Sequence, residues 1–490
     1  MVKSPLPPYL AQRLAKASFL RKSGRFKESI KAYRAVLSDA PDLPDSWYNL
    51  GWLLRRAGDA AGALQAYDKA LALRIEEPEE VHLNRGVIFA DDLLDPSQAQ
   101  TAYRAALKIN PLYIKARFNL ANTLEDLGER ARAASEYRIL LKQAPKESEP
   151  LARLANLSRA KDRDDDLIKR LEAGLTRNDL PPLARASLGF ALGRLFDQVG
   201  EFDLAFKAYA KANTLSAASR MSVVPAYSPA RHDALVNALI KLPSPVRAMP
   251  TPSEAVRPVF ILGQFRSGST LLEQILSAHS AVTTTGELPL LGLIVSQDLA
   301  PYPASLATLE PDRAKALRAK YLEGVIQRVP GAKGIVTDKR PDNYLHIGLI
   351  LRVFPDARIL HTVRDPRDTC LSTYFLHLSQ DKTYATDLSN LGHHYRAYSR
   401  LMNHWKSVAG AQIFDVDYDA LVSSPETVIR STLDFLDLPF EQDCLNFQSS
   451  RAPVKTASVW QVREPLYTRS SGRWRNYESH LKPLFEALND

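Results

Sequence analysis

The sequence predicts a multidomain protein: an N-terminal all-α solenoid of repeated helix pairs, then a C-terminal α/β domain on a parallel, P-loop-like sheet. Three observations carry this. A tyrosine recurs at intervals of ~34 residues through the first half of the chain. The helical rhythm then breaks at a proline-rich stretch, and beyond it short apolar runs alternate with helical segments. A chain of 490 residues also exceeds what one hydrophobic core usually serves.

The repeat is explicit around Tyr33, Tyr67, Tyr103, Tyr137 and Tyr209, which sit in the contexts KAYRAVL, QAYDKAL, TAYRAAL, SEYRILL and KAYAKAN. Small residues at Gly51, Gly86, Ala121 and Gly193 let two helices cross closely while the aromatic ring fills the gap between them. Pro41, Pro111 and Pro145 punctuate the helix ends. The pattern resembles a tetratricopeptide solenoid over residues 10–218, with Glu149 to Asp179 an unsigned helix pair inside it. A concave solenoid surface commonly binds an extended protein segment. The opposing reading is a scaffold without a partner.

Residues 219–257 read as a linker, with the prolines of LPSPVRAMPTPSEAVRP arguing against continued helix. In residues 258–490 the apolar runs Val259 to Leu262, Gly334 to Thr337, Arg358 to Val363 and Gln412 to Val416 read as strands buried on both faces. Ligands of such sheets bind at the carboxyl ends of the strands.

Composition narrows the function classes. Net charge is +9, from 64 basic and 55 acidic residues, without a clustered basic run, so nucleic acid is not an expected partner. The two cysteines, Cys370 and Cys444, make neither a disulfide framework nor a metal motif, which favours a reducing, cytoplasmic setting. No leader or membrane span is apparent.

Chemistry concentrates in PVFILGQFRSGST, residues 258–270. Gly263 and Gly268 keep the spacing of a phosphate-binding loop, but Ser269 replaces the lysine that nucleotide hydrolases keep there. Backbone amides of Ser267 to Thr270, the hydroxyls of Ser269 and Thr270, and Arg266 are expected to hold an anion at the start of a helix spanning Leu271 to Ala278. Arg364 in HTVRDPRD, with Ser372 on the next helix, predicts a second anion site. The bland alternative pairs Arg364 with Asp365 or Asp368. Two sites on one sheet suit a ligand phosphorylated at both ends.

FILGQFRSGSTLLEQILSAHSAV, then GE, DKRPDN, RVFPDARILHTVRDPRDTCLS, DYDALVSSPE and TASVWQVREPLYTRSSGRW together resemble the sulfotransferase family. The likeness covers about residues 258–480 and is nearest to the tetratricopeptide-linked bacterial members, whose catalytic motifs are similar to those of tyrosylprotein sulfotransferases. It implies transfer of a sulfuryl group from 3'-phosphoadenylyl sulfate (PAPS) to an acceptor hydroxyl, without a metal. A protein or peptide tyrosine is one such acceptor.

Carried over residue by residue, the resemblance implies Glu287 as general base and Lys339 as stabiliser of the leaving oxygen, with Ser458 and Arg266 assisting. It places the 5'-phosphosulfate in the loop and the 3'-phosphate at Arg364 and Ser372. By the same resemblance, Tyr418 matches a tyrosine that contacts the nucleotide and Arg473 a basic residue that closes over it. His279 is read as a capping or core residue. A P-loop kinase, and a tetratricopeptide scaffold carrying an inactive nucleotide-binding domain, are the alternatives.

Overall fold

The structure is a computed structural model and describes residues 6–220, 224–244, 256–449 and 470–489. Its contacts divide the chain into two compact units, Met1–Pro150 and Leu151–Asp490. The helices Pro182–Gln198 and Phe202–Arg220 therefore belong to the second unit, although the tyrosine repeat runs through them.

In the first unit, helix pairs such as Pro44–Arg56 with Ala60–Ala72 pack around the repeat tyrosines. Tyr33, Tyr67, Tyr103 and Tyr137 are all buried. A Cβ on Gly51 would stand 2.7 Å from the Tyr67 ring, and one on Gly86 would stand 2.3 Å from Tyr103. The missing side chain is the space the ring occupies, as the sequence leads one to expect. The unsigned stretch after Glu149 forms the helices Ser148–Leu157 and Asp166–Leu175.

The second unit contains five strands: β1 (Val256–Gly263), β2 (Val282–Thr284), β3 (Gly334–Lys339), β4 (Arg358–Val363) and β5 (Ile413–Asp417). They form one all-parallel sheet in the order β2-β3-β1-β4-β5. Alternate residues of β1 enter different cores. Phe260 and Leu262 join Ile350, Leu401 and Trp405 on one face, while Val259 and Ile261 join Leu272, Ile275 and Leu433 on the other. Both faces are covered by helices, which is why the strands read as continuous apolar runs. β2 escapes such a reading because its three residues are only partly buried. Because β3 and β4 flank β1, their carboxyl ends meet where β1 enters the anion loop. Among the described residues no helix is long and apolar enough to cross a membrane.

Candidate active site

The loop after β1 is shaped by positive φ angles, 71° at Arg266 and 106° at Gly268. A Cβ on Gly268 would lie 2.7 Å from Tyr418 Cδ2, so both the backbone angle and the adjoining ring require glycine here. Ser267 was expected to turn its amide to the anion. That amide instead donates to Gln264 O at 3.2 Å, and its hydroxyl lies 2.7 Å from the same oxygen and 2.6 Å from Thr362 Oγ1. Ser267 is thus a buried staple between loop and β4, because a tight turn must satisfy its own polar groups first. The helix Ser269–Leu276 opens with no side chain capping its first turn. Its leading N–H groups and dipole favour an anion.

Arg364 follows β4 and reaches back to that loop. Its Nη1 donates to Arg266 O at 3.1 Å, its Nη2 to Ser470 O at 2.5 Å, and its guanidinium carbon lies 4.8 Å from the Tyr418 ring centroid. Arg266 Nε in turn donates to Ser372 Oγ at 3.0 Å. The residues of the two expected anion sites, separated in sequence, are therefore contiguous in space. The Nε of Arg364 is buried and has no hydrogen-bond partner among the described residues. A buried cationic donor left unmet by the described residues fits a phosphate-bearing ligand.

Neither nearby carboxylate neutralises Arg364 among the described residues. Asp365 caps the helix Pro366–Tyr374 and pairs with Arg367 at 2.6 Å, and these bonds hold its carboxyl below the usual range against the opposing effect of burial. Asp368 accepts from Gly472 N at 2.6 Å and Trp474 N at 2.9 Å. It thereby fixes the segment whose Ser470 carbonyl meets Arg364. The sequence signal for Asp368 was its place in RDPRD, but its backbone partners lie about a hundred residues away.

The third part of the site lies at the end of β3. Lys339 is wholly buried, and its Nζ is 2.7 Å from Oε1 of Glu287, whose side chain is 40% exposed. One face of the carboxylate is thus committed to the ammonium while the rest is open to solvent. Behind this pair, Glu273 of the loop helix accepts from Gly286 N and from Thr337 Oγ1, each at 3.1 Å. Burial pushes the Glu273 carboxyl up, opposed by Lys339 and by these two bonds. Burial likewise pushes Asp338 up to about 7, although Tyr321 donates to it at 2.7 Å. Sequence reading missed Glu273. A carboxylate on an otherwise apolar helix face, one turn into the loop helix, was the available signal.

The remaining expected residues divide. Tyr418 begins the helix after β5 and packs both Gly268 and Arg364, beside the anion loop. Arg473 is held elsewhere: its Nη2 lies 2.8 Å from Asp197 Oδ2, and its guanidinium stacks over Phe375. His279 is buried, accepting from Ala281 N through Nδ1 at 3.1 Å, with Nε2 2.9 Å from Pro439 O, as a core residue would be. Cys370 is buried, and that burial pushes its thiol up. Ser458 lies outside the described residues. Among those residues, no group of three or more His, Cys, Asp or Glu is placed to hold a metal ion.

Residues 258–442 match the model of the sulfotransferase family, and residues 14–78 and 90–148 match a tetratricopeptide repeat. An uncharacterized protein of Aquifex aeolicus (strain VF5) is 33% identical over 344 residues, covering 66% of this chain and 44% of that protein. A protein-tyrosine sulfotransferase of Drosophila melanogaster is 28% identical over 239 residues, covering 44% of this chain and 46% of that protein. The chain thus spans less than half the length of either relative. The solved sulfotransferase domain of the Synechococcus PCC 7002 olefin synthase superposes with a TM-score of 0.36 at 21% identity, over 49% of this chain and 97% of that domain. The chain carries tetratricopeptide repeats followed by a domain of the sulfotransferase family.

Proposed function

We propose that this domain moves the sulfuryl group of PAPS to an acceptor hydroxyl, with a tyrosine of a protein or peptide as the acceptor class. The observation that carries the proposal is the Glu287–Lys339 pair beside the anion loop, an accessible carboxylate on a buried ammonium. When bound, PAPS supplies an activated sulfuryl group on a phosphate leaving group. Arg364 and Ser372 would hold its 3'-phosphate, and Arg266 with the amides and hydroxyls of Ser269 and Thr270 would hold its 5' end. The Nε of Arg364, unmet among the described residues, supports that assignment.

Glu287 takes the proton of the acceptor hydroxyl onto its exposed oxygen, which requires the acceptor within hydrogen-bond reach. Lys339 keeps a positive charge fixed beside the reacting centre, where burial strengthens its field. The repeats suit a protein-borne acceptor, since such solenoids commonly bind extended segments.

The test is incubation with labelled PAPS and a panel of tyrosyl peptides, glycans and phenols, read by mass spectrometry. Mass gain on tyrosyl peptides is expected. Exchange of Glu287→Gln should lower turnover by roughly 10²–10⁴-fold, the usual worth of a general base, with nucleotide binding retained. Gain on glycans or phenols alone would replace the acceptor class. Magnesium-dependent phosphate transfer from ATP would replace the reaction, and failure to bind PAPS would leave an interaction scaffold.

A further inference from the structure

Glu287 is carried on a turn, yet a base must be held to a fraction of an ångström to be effective. The protein pins this turn at three points. Thr285 Oγ1 donates to Thr337 O at 2.5 Å, Lys339 N donates to Gly286 O at 3.0 Å, and Gly286 N donates to Glu273 Oε1 at 3.1 Å. Gly286 itself adopts φ 67°, which a tight reversal before Glu287 requires. Two pins are made by β3, the strand that ends in Lys339. The third comes from the helix opened by the anion loop.

Glu273, on the loop helix, bonds both the turn and β3. It is 5% exposed, and its Oε1 accepts from both Gly286 N and Thr337 Oγ1 at 3.1 Å. Charged groups facing it among the described residues are Lys339 and Asp338 on β3 and Glu287 on the turn. A carboxyl so deeply buried carries a desolvation penalty that leucine would avoid. Its position at the junction of helix, turn and strand gives a functional reason to bear it.

We propose that Glu273 is a positioning residue for the transfer reaction, fixing Glu287 and Lys339 relative to the anion loop through its two hydrogen bonds. The inference rests on the sulfuryl-transfer reading above for its kinetic consequence, but its structural content stands apart from it. Glu273 need touch neither donor nor acceptor. It acts through the Gly286 amide and the Thr337 hydroxyl.

The test compares Glu273→Leu, Glu273→Gln and Thr337→Val in the full chain. Glutamine keeps an Oε1 able to accept both bonds, whereas leucine keeps volume without an acceptor. Expected are a loss of kcat of about 10²-fold in E273L, the scale of a small misplacement of catalytic groups, and near-parental kcat in E273Q. T337V, which removes one of the two bonds, should lie between them. Affinity for adenosine 3',5'-bisphosphate, measured by calorimetry, should stay within about twofold in all three, since the loop's own contacts are untouched.

Amide hydrogen exchange supplies a readout independent of turnover. Exchange at Gly286 should accelerate in E273L and stay slow in E273Q. If the parent protein transfers no sulfuryl group, the functional reading fails, while exchange at Gly286 still decides the positioning role. Unchanged exchange in E273L, or equal kcat losses in E273L and E273Q, would overturn the proposal. Should E273L not fold, T337V carries the same comparison: kcat and Gly286 exchange both matching the parent would overturn it.

Discussion

Replacing Gly268 by alanine should disable donor binding while leaving the chain folded. At φ 106° an L-residue is strained by roughly 1–2 kcal/mol. The added Cβ would also stand 2.7 Å from Tyr418 Cδ2, well inside the ~3.5–4.0 Å optimum for carbon pairs. Overpacking of this kind costs about 1–3 kcal/mol. The ring cannot swing away freely, because Arg364 stacks on it. Together the two effects come to ~3 kcal/mol, or about a hundredfold in affinity at 1.4 kcal/mol per decade. The assay is calorimetric titration with adenosine 3',5'-bisphosphate. Gly58→Ala is the control: it sits at φ 84° with no atom of the described residues within 4 Å of the methyl it would gain, outside the sheet domain, and should not alter nucleotide affinity. In a Tyr418→Ala background the same Gly268 exchange should cost about tenfold less, since the ring contact has gone. Parental affinity in Gly268→Ala would refute the reasoning, and an undiminished penalty without the ring would refute its steric half.

Three further outcomes are expected. Arg364→Ala should weaken the 3'-phosphorylated nucleotide by at least tenfold, against adenosine 5'-phosphate as control, because a charge-assisted bond contributes about 1.5–3 kcal/mol; equal affinity losses for both nucleotides would count against a 3'-phosphate site. Asp338 has a folded-state pKa raised by burial to about 7, so its contribution to stability is fully present below pH ~4 and is lost as pH rises through about 7. Asp338→Asn should therefore gain thermal stability relative to the parent as pH climbs from about 4 to 7, and a pH-independent difference in melting temperature would contradict this. Asp197→Ala removes the acceptor of both Arg473 and the Tyr477 hydroxyl. A cost of about 1–2 kcal/mol follows from the partly exposed Asp197–Arg473 pair and the bond lost to the buried Tyr477, seen as a fall in melting temperature of a few degrees; a shift below one degree would show the pair to be idle.

Local pattern made much of the fold legible. Strand β4 spans the residues its apolar run predicts, Arg358 to Val363, because burial on both faces leaves a continuous signal. The loop helix begins at Ser269, two residues before its apolar run, since a helix start is set by backbone conformation rather than by hydrophobic period. Repeat position alone does not mark which tertiary neighbours a ring will have. Tyr209 occupies the repeat's tyrosine position, yet its ring stacks on Phe375 at 3.9 Å within the second unit. Repeats record local helix pairing and carry no mark of what else a ring will touch.

What the sequence by itself determined is the order of parts and the chemistry available to them: helix pairs marked by Tyr33 to Tyr137, a parallel sheet, an anion loop without lysine, and the residues Arg364, Glu287 and Lys339. Tertiary structure decided the connections. It joined Arg266 to Ser372 and Arg364 to Arg266, turned Ser267 inward, held Arg473 on Asp197, and brought Glu273 beneath the Glu287 turn. The physical reason is that residue type and spacing fix which groups a strand end presents. Which of them meet depends on strand order, and β3 and β4 come to flank β1 only when the whole sheet closes.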